Sequence, residues 1–222
     1  MGEAIGQSLL FAVAIAVFPI PVIASVLLVL RPDGLGRAAL FALGWLVGLA
    51  GLGAVGLTLV TAAEGGATAT PTWVSWARLV VGVGLVGLAA VEVRSQVARR
   101  GQVKTPGWMR ALESVTPVRA AVTGLVLSAL NPKNIALALA AAAAIVDVHL
   151  PAGQMAVVWA VFTVVASLGV AAPLVTTAVL GGRAAAPLSA FRGWLQRNNA
   201  AILAVLFLLI GAKVIGDGVA GL

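Results

Sequence analysis

Long apolar runs, separated by short polar punctuation, dominate the chain. A helix that crosses a bilayer needs about 20 mostly apolar residues. Six segments have that character: Ala4 to Leu30, Ala38 to Ala63, Trp73 to Val93, Ala120 to Val146, Gln154 to Leu180 and Asn198 to Val214. The connections are short except Arg94 to Arg119, which is polar and basic. The pattern predicts an all-α integral membrane protein of six transmembrane helices, forming a single domain over residues 1–222.

Two of the six runs are interrupted near their middles. Pro19-Ile20-Pro21 breaks the first, and Asn131-Pro132-Lys133-Asn134 breaks the fourth. Proline lacks the backbone donor that a helix interior uses, so each interruption predicts a bend or a gap. Pro21 and Pro132 stand half a chain length apart in 222 residues, and a turn and a long apolar helix follow each. The chain therefore reads as two three-helix repeats, one over about 1–93 and one over about 120–222, joined by the basic loop 94–119. An odd number of helices per repeat inverts the second relative to the first. Inverted repeats with broken helices at matching places are the signature of secondary transporters with a midplane site.

Charge fixes the expected orientation. Of the 14 basic residues, eleven fall in the first, third and fifth connections: Arg31 and Arg37; Arg94, Arg99, Arg100, Lys104, Arg110 and Arg119; Arg183, Arg192 and Arg197. By the positive-inside tendency these connections face the cytoplasm and both termini lie outside. The halves of the fourth run, Ala120 to Leu130 and Ile135 to Val146, are each too short to span and could form a re-entrant hairpin. That would move Arg183, Arg192 and Arg197 outside, so the charge pattern favours one broken helix that crosses.

Composition narrows the chemistry. The chain is 61% hydrophobic and 9% charged, with a mean hydropathy of +1.11. A soluble domain is about one-quarter charged, so lipid is the expected solvent. The net charge of +7 is spread between apolar runs, which argues for orientation and against nucleic acid. Cysteine is absent, which removes disulfide and thiolate chemistry, and the one histidine, His149, cannot build a typical metal site alone. Met1-Gly2-Glu3 lacks the basic start of a signal peptide, and the first run is expected to stay in the mature protein. No catalytic motif, cofactor motif or metal-ligand spacing is visible, and an enzyme is not expected.

Two stretches read as amphipathic helices on the cytoplasmic membrane surface, anchored on anionic lipid. One starts at Thr105-Pro106 and carries Trp108, Met109, Leu112 and Val115 on one face; the other carries Leu188, Phe191 and Leu195 beside Arg192 and Arg197. Gly44, Gly48 and Gly51, and Gly82, Gly84 and Gly87, read as close packing faces within the molecule. Trp45, Trp73 and Trp76 read as packing or interfacial anchors, and Lys213 with Asp217 as an i,i+4 pair.

Lys133 is the most informative side chain. A lysine at the centre of a spanning segment is unfavourable by about 2.5–3.5 kcal/mol on insertion scales. None of the seven acidic residues lies mid-run. The expected companions of its ammonium are freed backbone carbonyls, cavity water or an anionic group of a substrate. Asn134 is expected to cap the half-helix that follows, whose N-terminus also favours negative charge. Together these predict a midplane site for phosphate, sulfate or carboxylate. The plainer reading is that Lys133 snorkels or satisfies unwound carbonyls.

The stretch Phe18-Pro19-Ile20-Pro21-Val22, the connection Arg31 to Arg37 leading into Phe41-Ala42-Leu43-Gly44-Trp45, and Asn131-Pro132-Lys133-Asn134 resemble the GAP family. These are peptidoglycolipid or sulfolipid addressing proteins, a branch of the lysine exporter (LysE) superfamily. The resemblance covers nearly the whole chain, and the Asn-Pro-Lys-Asn run is its most specific part. It implies an inner-membrane protein that helps move envelope glycolipids toward the surface of actinobacterial cells. It also implies the six-helix inverted-repeat exporter fold, with Pro19, Pro21, Asn131, Pro132, Lys133 and Asn134 lining a central substrate site. The expected partners are a lipid or amphiphilic substrate and anionic lipid at the cytoplasmic face, with larger lipid-export proteins and a homodimer as further candidates. Two alternatives stand beside this reading: an exporter of amino acids or other small solutes, and a non-transporting accessory subunit acting through Arg94 to Arg119.

Overall fold

The computed structural model describes residues 1–64, 72–98 and 115–222, and every element among them is helical. Helices α1 (Gly2–Ala16) and α2 (Pro19–Val29) form the first expected span. Next come α3 (Gly34–Glu64) and α4 (Thr72–Ala98). Helices α5 (Pro117–Ala129) and α6 (Pro132–Val146) cover the fourth apolar run, followed by α7 (Ala152–Leu180). A 3-10 turn, Gly181–Ala184, then leads into α8 (Ala185–Ala220).

Both interrupted runs are bent helix pairs, by 53° between α1 and α2 and by 56° between α5 and α6. Among the described residues, Gly34–Ala62 and the 69-residue stretch Ala152–Ala220 are long and apolar enough to cross a membrane. Each bent pair passes the same test when taken as one span. The surface helix expected from Thr105-Pro106 falls outside the described residues.

The fifth connection differs from expectation. Leu188, Phe191 and Leu195 do not form a separate surface helix; they belong to the first turns of α8, which runs unbroken to Ala220. Pro187 sits in the first turn, where a backbone donor has no intrahelical partner to lose. Asn198-Asn199, which sequence reading takes as a boundary, is not sufficient to stop a helix. Leu188 and Leu195 are buried in protein, while Phe191 (41% exposed) and Trp194 (48%) stack on each other at the surface. The face expected to meet lipid is thus split between protein and surroundings.

The chain divides into two compact units, Met1–Val60 with Lys104–Gln196, and Thr61–Val103 with Arg197–Leu222. In the first, α1 packs on α6 and α7, and α2 on α7. Helices α3 and α5 touch backbone to backbone. A Cβ on Gly44 would fall on the Ala121 carbonyl, and one on Gly124 on the Phe41 carbonyl. Gly48 faces Ser128, whereas Gly51 looks onto open space, so only part of the glycine stripe packs. Trp45 is fully buried, and the Trp159 indole N–H of α7 donates to the Leu49 carbonyl of α3 at 3.1 Å.

In the second unit α4 packs on the C-terminal half of α8. Gly82 and Gly211 bring these two backbones together reciprocally, while Gly84 and Gly87 do not take part. Ser75 Oγ donates to the Gly221 carbonyl at 2.9 Å. Trp76, 58% exposed, fits the anchor reading. Lys213 and Asp217 form the expected pair, with Nζ 2.6 Å from Oδ2.

Candidate functional site

At the first break, Val17 closes α1 by donating to the Val13 carbonyl, and Phe18 is extended (φ −60°, ψ 119°). Pro19 and Pro21 then take the first and third positions of α2. First-turn amides have no intrahelical acceptor, so two missing N–H groups are harmless there. The prolines start a new helix instead of distorting a continuous one. Both are buried.

At the second break, Asn131 is the cap of α6. Its backbone is extended, and its side-chain oxygen accepts from the Lys133 amide at 3.1 Å. Pro132, exposed, occupies the first helical position. The capping role expected of Asn134 therefore falls to Asn131, because the cap must precede the proline that opens the helix. Asn134 points the other way. It is 1% exposed, and its amide nitrogen donates to the carbonyls of Leu127 (3.1 Å) and Ser128 (3.2 Å) at the end of α5. One side chain thus takes up carbonyls that the break would otherwise leave without donors.

The two breaks meet. Lys133 stands in the first turn of α6, half-buried, and its Nζ lies 5.0 Å from the centroid of the Phe18 ring. Phe18 is 5% exposed and belongs to the other break. A cation over an aromatic face is held by the ring quadrupole with about 0.5–2 kcal/mol, more as water is excluded. The Lys133 amide is already taken by the Asn131 side chain. Of the six residues expected at the site, Lys133 is brought to the Pro19–Pro21 break through Phe18, and Asn131 and Asn134 shape the backbone beneath it.

Helix α7 completes the surroundings of the first break. A Cβ at Gly169 would fall on the Ala16 carbonyl, so only glycine permits this approach. Fully buried Ser25 donates its hydroxyl to the Val170 carbonyl at 2.7 Å. Pro173 lies buried inside α7, and its missing N–H leaves the Gly169 carbonyl without its usual helical donor. Sequence reading singled out none of Ser25, Gly169 or Pro173, and met Phe18 only as part of a motif. A proline inside an apolar run was the available signal for Pro173; the others carry no local pattern that marks them. Among the described residues, no cluster of three or more His, Cys, Asp or Glu could hold a metal ion.

The family model described as Sap, sulfolipid-1-addressing protein matches residues 9–220 of the chain. No curated protein and no solved structure matches it significantly.

Proposed function

The chain belongs to the sulfolipid-1-addressing protein family, and from that premise we propose that it is a membrane transporter that helps move envelope glycolipids toward the cell surface. Its substrate site lies where the two helix breaks meet, and Lys133 takes the polar or anionic head group. The observation that carries this reading is the Lys133 ammonium held at a helix break against Phe18 of the other break. A sulfated or phosphorylated head group is a chemical match for a lysine presented at a helix N-terminus.

An inverted repeat of six spans supports alternating access. Exchanging the halves maps α1–α2 onto α5–α6, α3 onto α7, and α4 onto the end of α8. The first unit holds both bent pairs with α3 and α7, and the second holds α4 with the end of α8, so each unit draws matching segments from both halves. Both exchanged helix pairs make close backbone contact, α1 with α7 at Ala16 and Gly169 and α5 with α3 at Ala121 and Gly44, at different heights along the helices. The stretch Ala152–Ala220, at 69 residues, has the length for two crossings of about 20 residues each. In this reading the protein lies in the plasma membrane with both termini outside. The exposed pair Phe191 and Trp194, beside Arg192 and Arg197, meets anionic lipid at the cytoplasmic face.

Replacing Lys133 by Met, with folding verified by size-exclusion and thermal melting, is expected to abolish display of the glycolipid at the surface. Unchanged display would remove Lys133 from the site. Proteoliposomes loaded with labelled amino acids or labelled lipid separate this function from small-solute export.

A further inference from the structure

We propose that the facing sides of α3 and α7 form a second binding site, for an uncharged, oxygen-bearing part of the substrate, in which Trp45 donates and Thr163 donates or accepts. It presumes the transporter function proposed above and does not depend on Lys133.

Both residues lie deep in protein and leave a polar atom unused. Trp45 is 0% exposed and Thr163 8%, yet among the described residues neither the indole Nε1 nor the hydroxyl Oγ1 has a hydrogen-bond partner. Comparable groups in the same helices and elsewhere do. The Trp159 indole donates to the Leu49 carbonyl at 3.1 Å, and the hydroxyls of Thr58, Thr123 and Thr177 each donate to the carbonyl four residues back. The other buried polar atoms in this condition, Arg37 Nε, Arg192 Nε and Asn199 Oδ1, belong to half-buried residues. An orphaned donor in an apolar interior is costly, and a native fold that keeps one calls for a specific reason, such as a ligand that completes it.

The two orphaned groups stand at about one level. Gly44 faces Ala121, Gly48 faces Ser128 and Gly56 faces Ala142, so α3 runs in the direction of α5 and α6. Helix α7 returns from α6 through a short turn and packs on it, so it runs opposite to α3. The contact of Leu49 with Trp159 fixes the register of the pair. Trp45 lies one turn, about 6 Å, back from Leu49, and Thr163 lies one turn on from Trp159. In antiparallel helices those two steps go the same way.

The chemistry of the pair selects the ligand. An indole N–H only donates, so the ligand must offer an acceptor; a threonine hydroxyl can do either. Between Ala38 and Ala63 of α3, and throughout α7, no residue is ionisable. A charged group would meet no counter-charge from either helix, so the site suits a neutral oxygen, as in a sugar hydroxyl or an ester carbonyl.

Thr163→Val exchanges the hydroxyl for a methyl at nearly constant shape. Benzothienylalanine at position 45 keeps the shape of the indole and lacks its N–H. Full-length protein in nanodiscs of diether phosphatidylcholine, which has no ester carbonyl, would be titrated with an uncharged alkyl glycoside and with diacylglycerol. These two probes tell a sugar source from an ester source. Affinity for at least one of them is expected to fall about two- to tenfold in each variant, and to be kept in Thr163→Ser. The melting temperature of the probe-free Thr163→Val protein should hold or rise, because an unsatisfied polar atom is gone. With isotope-labelled tryptophan, the Trp45 indole proton, assigned by its loss in the benzothienyl variant, should move downfield when the probe binds. No binding of either probe, affinities unchanged in both variants, or an indole resonance that stays in place overturns the proposal. Transfer of labelled glycolipid by the unaltered protein in proteoliposomes, measured in parallel, keeps the two readings apart. Absence of transfer removes the transporter function, whereas transfer with unchanged affinities removes only this second site.

Discussion

Two asparagines three residues apart do opposite jobs. Asn131 accepts from the helix that follows, and Asn134 donates to the helix that precedes. Their variants should therefore behave differently. Asn134→Asp loses both donations and buries a charge, so it should destabilise more than Asn134→Ala, which leaves two carbonyls unsatisfied at about 1–3 kcal/mol. Asn131→Asp keeps a side-chain acceptor and should be near neutral, while Asn131→Ala should lower stability by about 1 kcal/mol. Thermal melting of the purified variants in detergent gives the order, and equal effects of Asp at the two positions would contradict it. The polar run itself stood out in the sequence because it interrupts apolar residues. The division of labour did not, because the target of Asn134 is set by the angle between α5 and α6. Phe18 was hidden for a similar reason, since nothing local separates a ring under a lysine from a ring in a core.

At the scale of elements, the long apolar runs and both break points were legible, because length and proline position carry them directly. Which faces touch which was not. Gly44 and Gly51 belong to one sequence stripe, yet one lies on the Ala121 carbonyl and the other faces open space. Gly124→Ala and Gly169→Ala each set a methyl against a backbone carbonyl and are expected to destabilise by about 1–3 kcal/mol. Gly51→Ala should be neutral or slightly stabilising, since alanine is the better helix former. Equal melting shifts across the three variants would contradict this account. The start of α8 departs from its sequence pattern in a similar way: Leu188 and Leu195 look lipid-facing in sequence, yet both are buried in protein.

At the scale of the whole molecule, the charge pattern predicts a topology that a cysteine scan can read without background, since the chain has no cysteine. Gly2, Gly36, Gly153 and Gly182 each have open space around them, so a cysteine fits at each. Membrane-impermeant maleimide added from outside should label Gly2→Cys and Gly153→Cys but not Gly36→Cys or Gly182→Cys. A re-entrant fourth segment would exchange the results for positions 153 and 182. The break angles, 53° and 56°, are nearly equal, but the two joints are built of different materials. Asn134 clasps the second with two hydrogen bonds. Phe18, Pro19, Ile20 and Pro21 at the first carry no hydrogen-bonding side chain, and that joint is seated by shape against Gly169. In mechanical terms one elbow is clasped and the other is wedged, and a substitution that opens the clasp leaves the wedge in place.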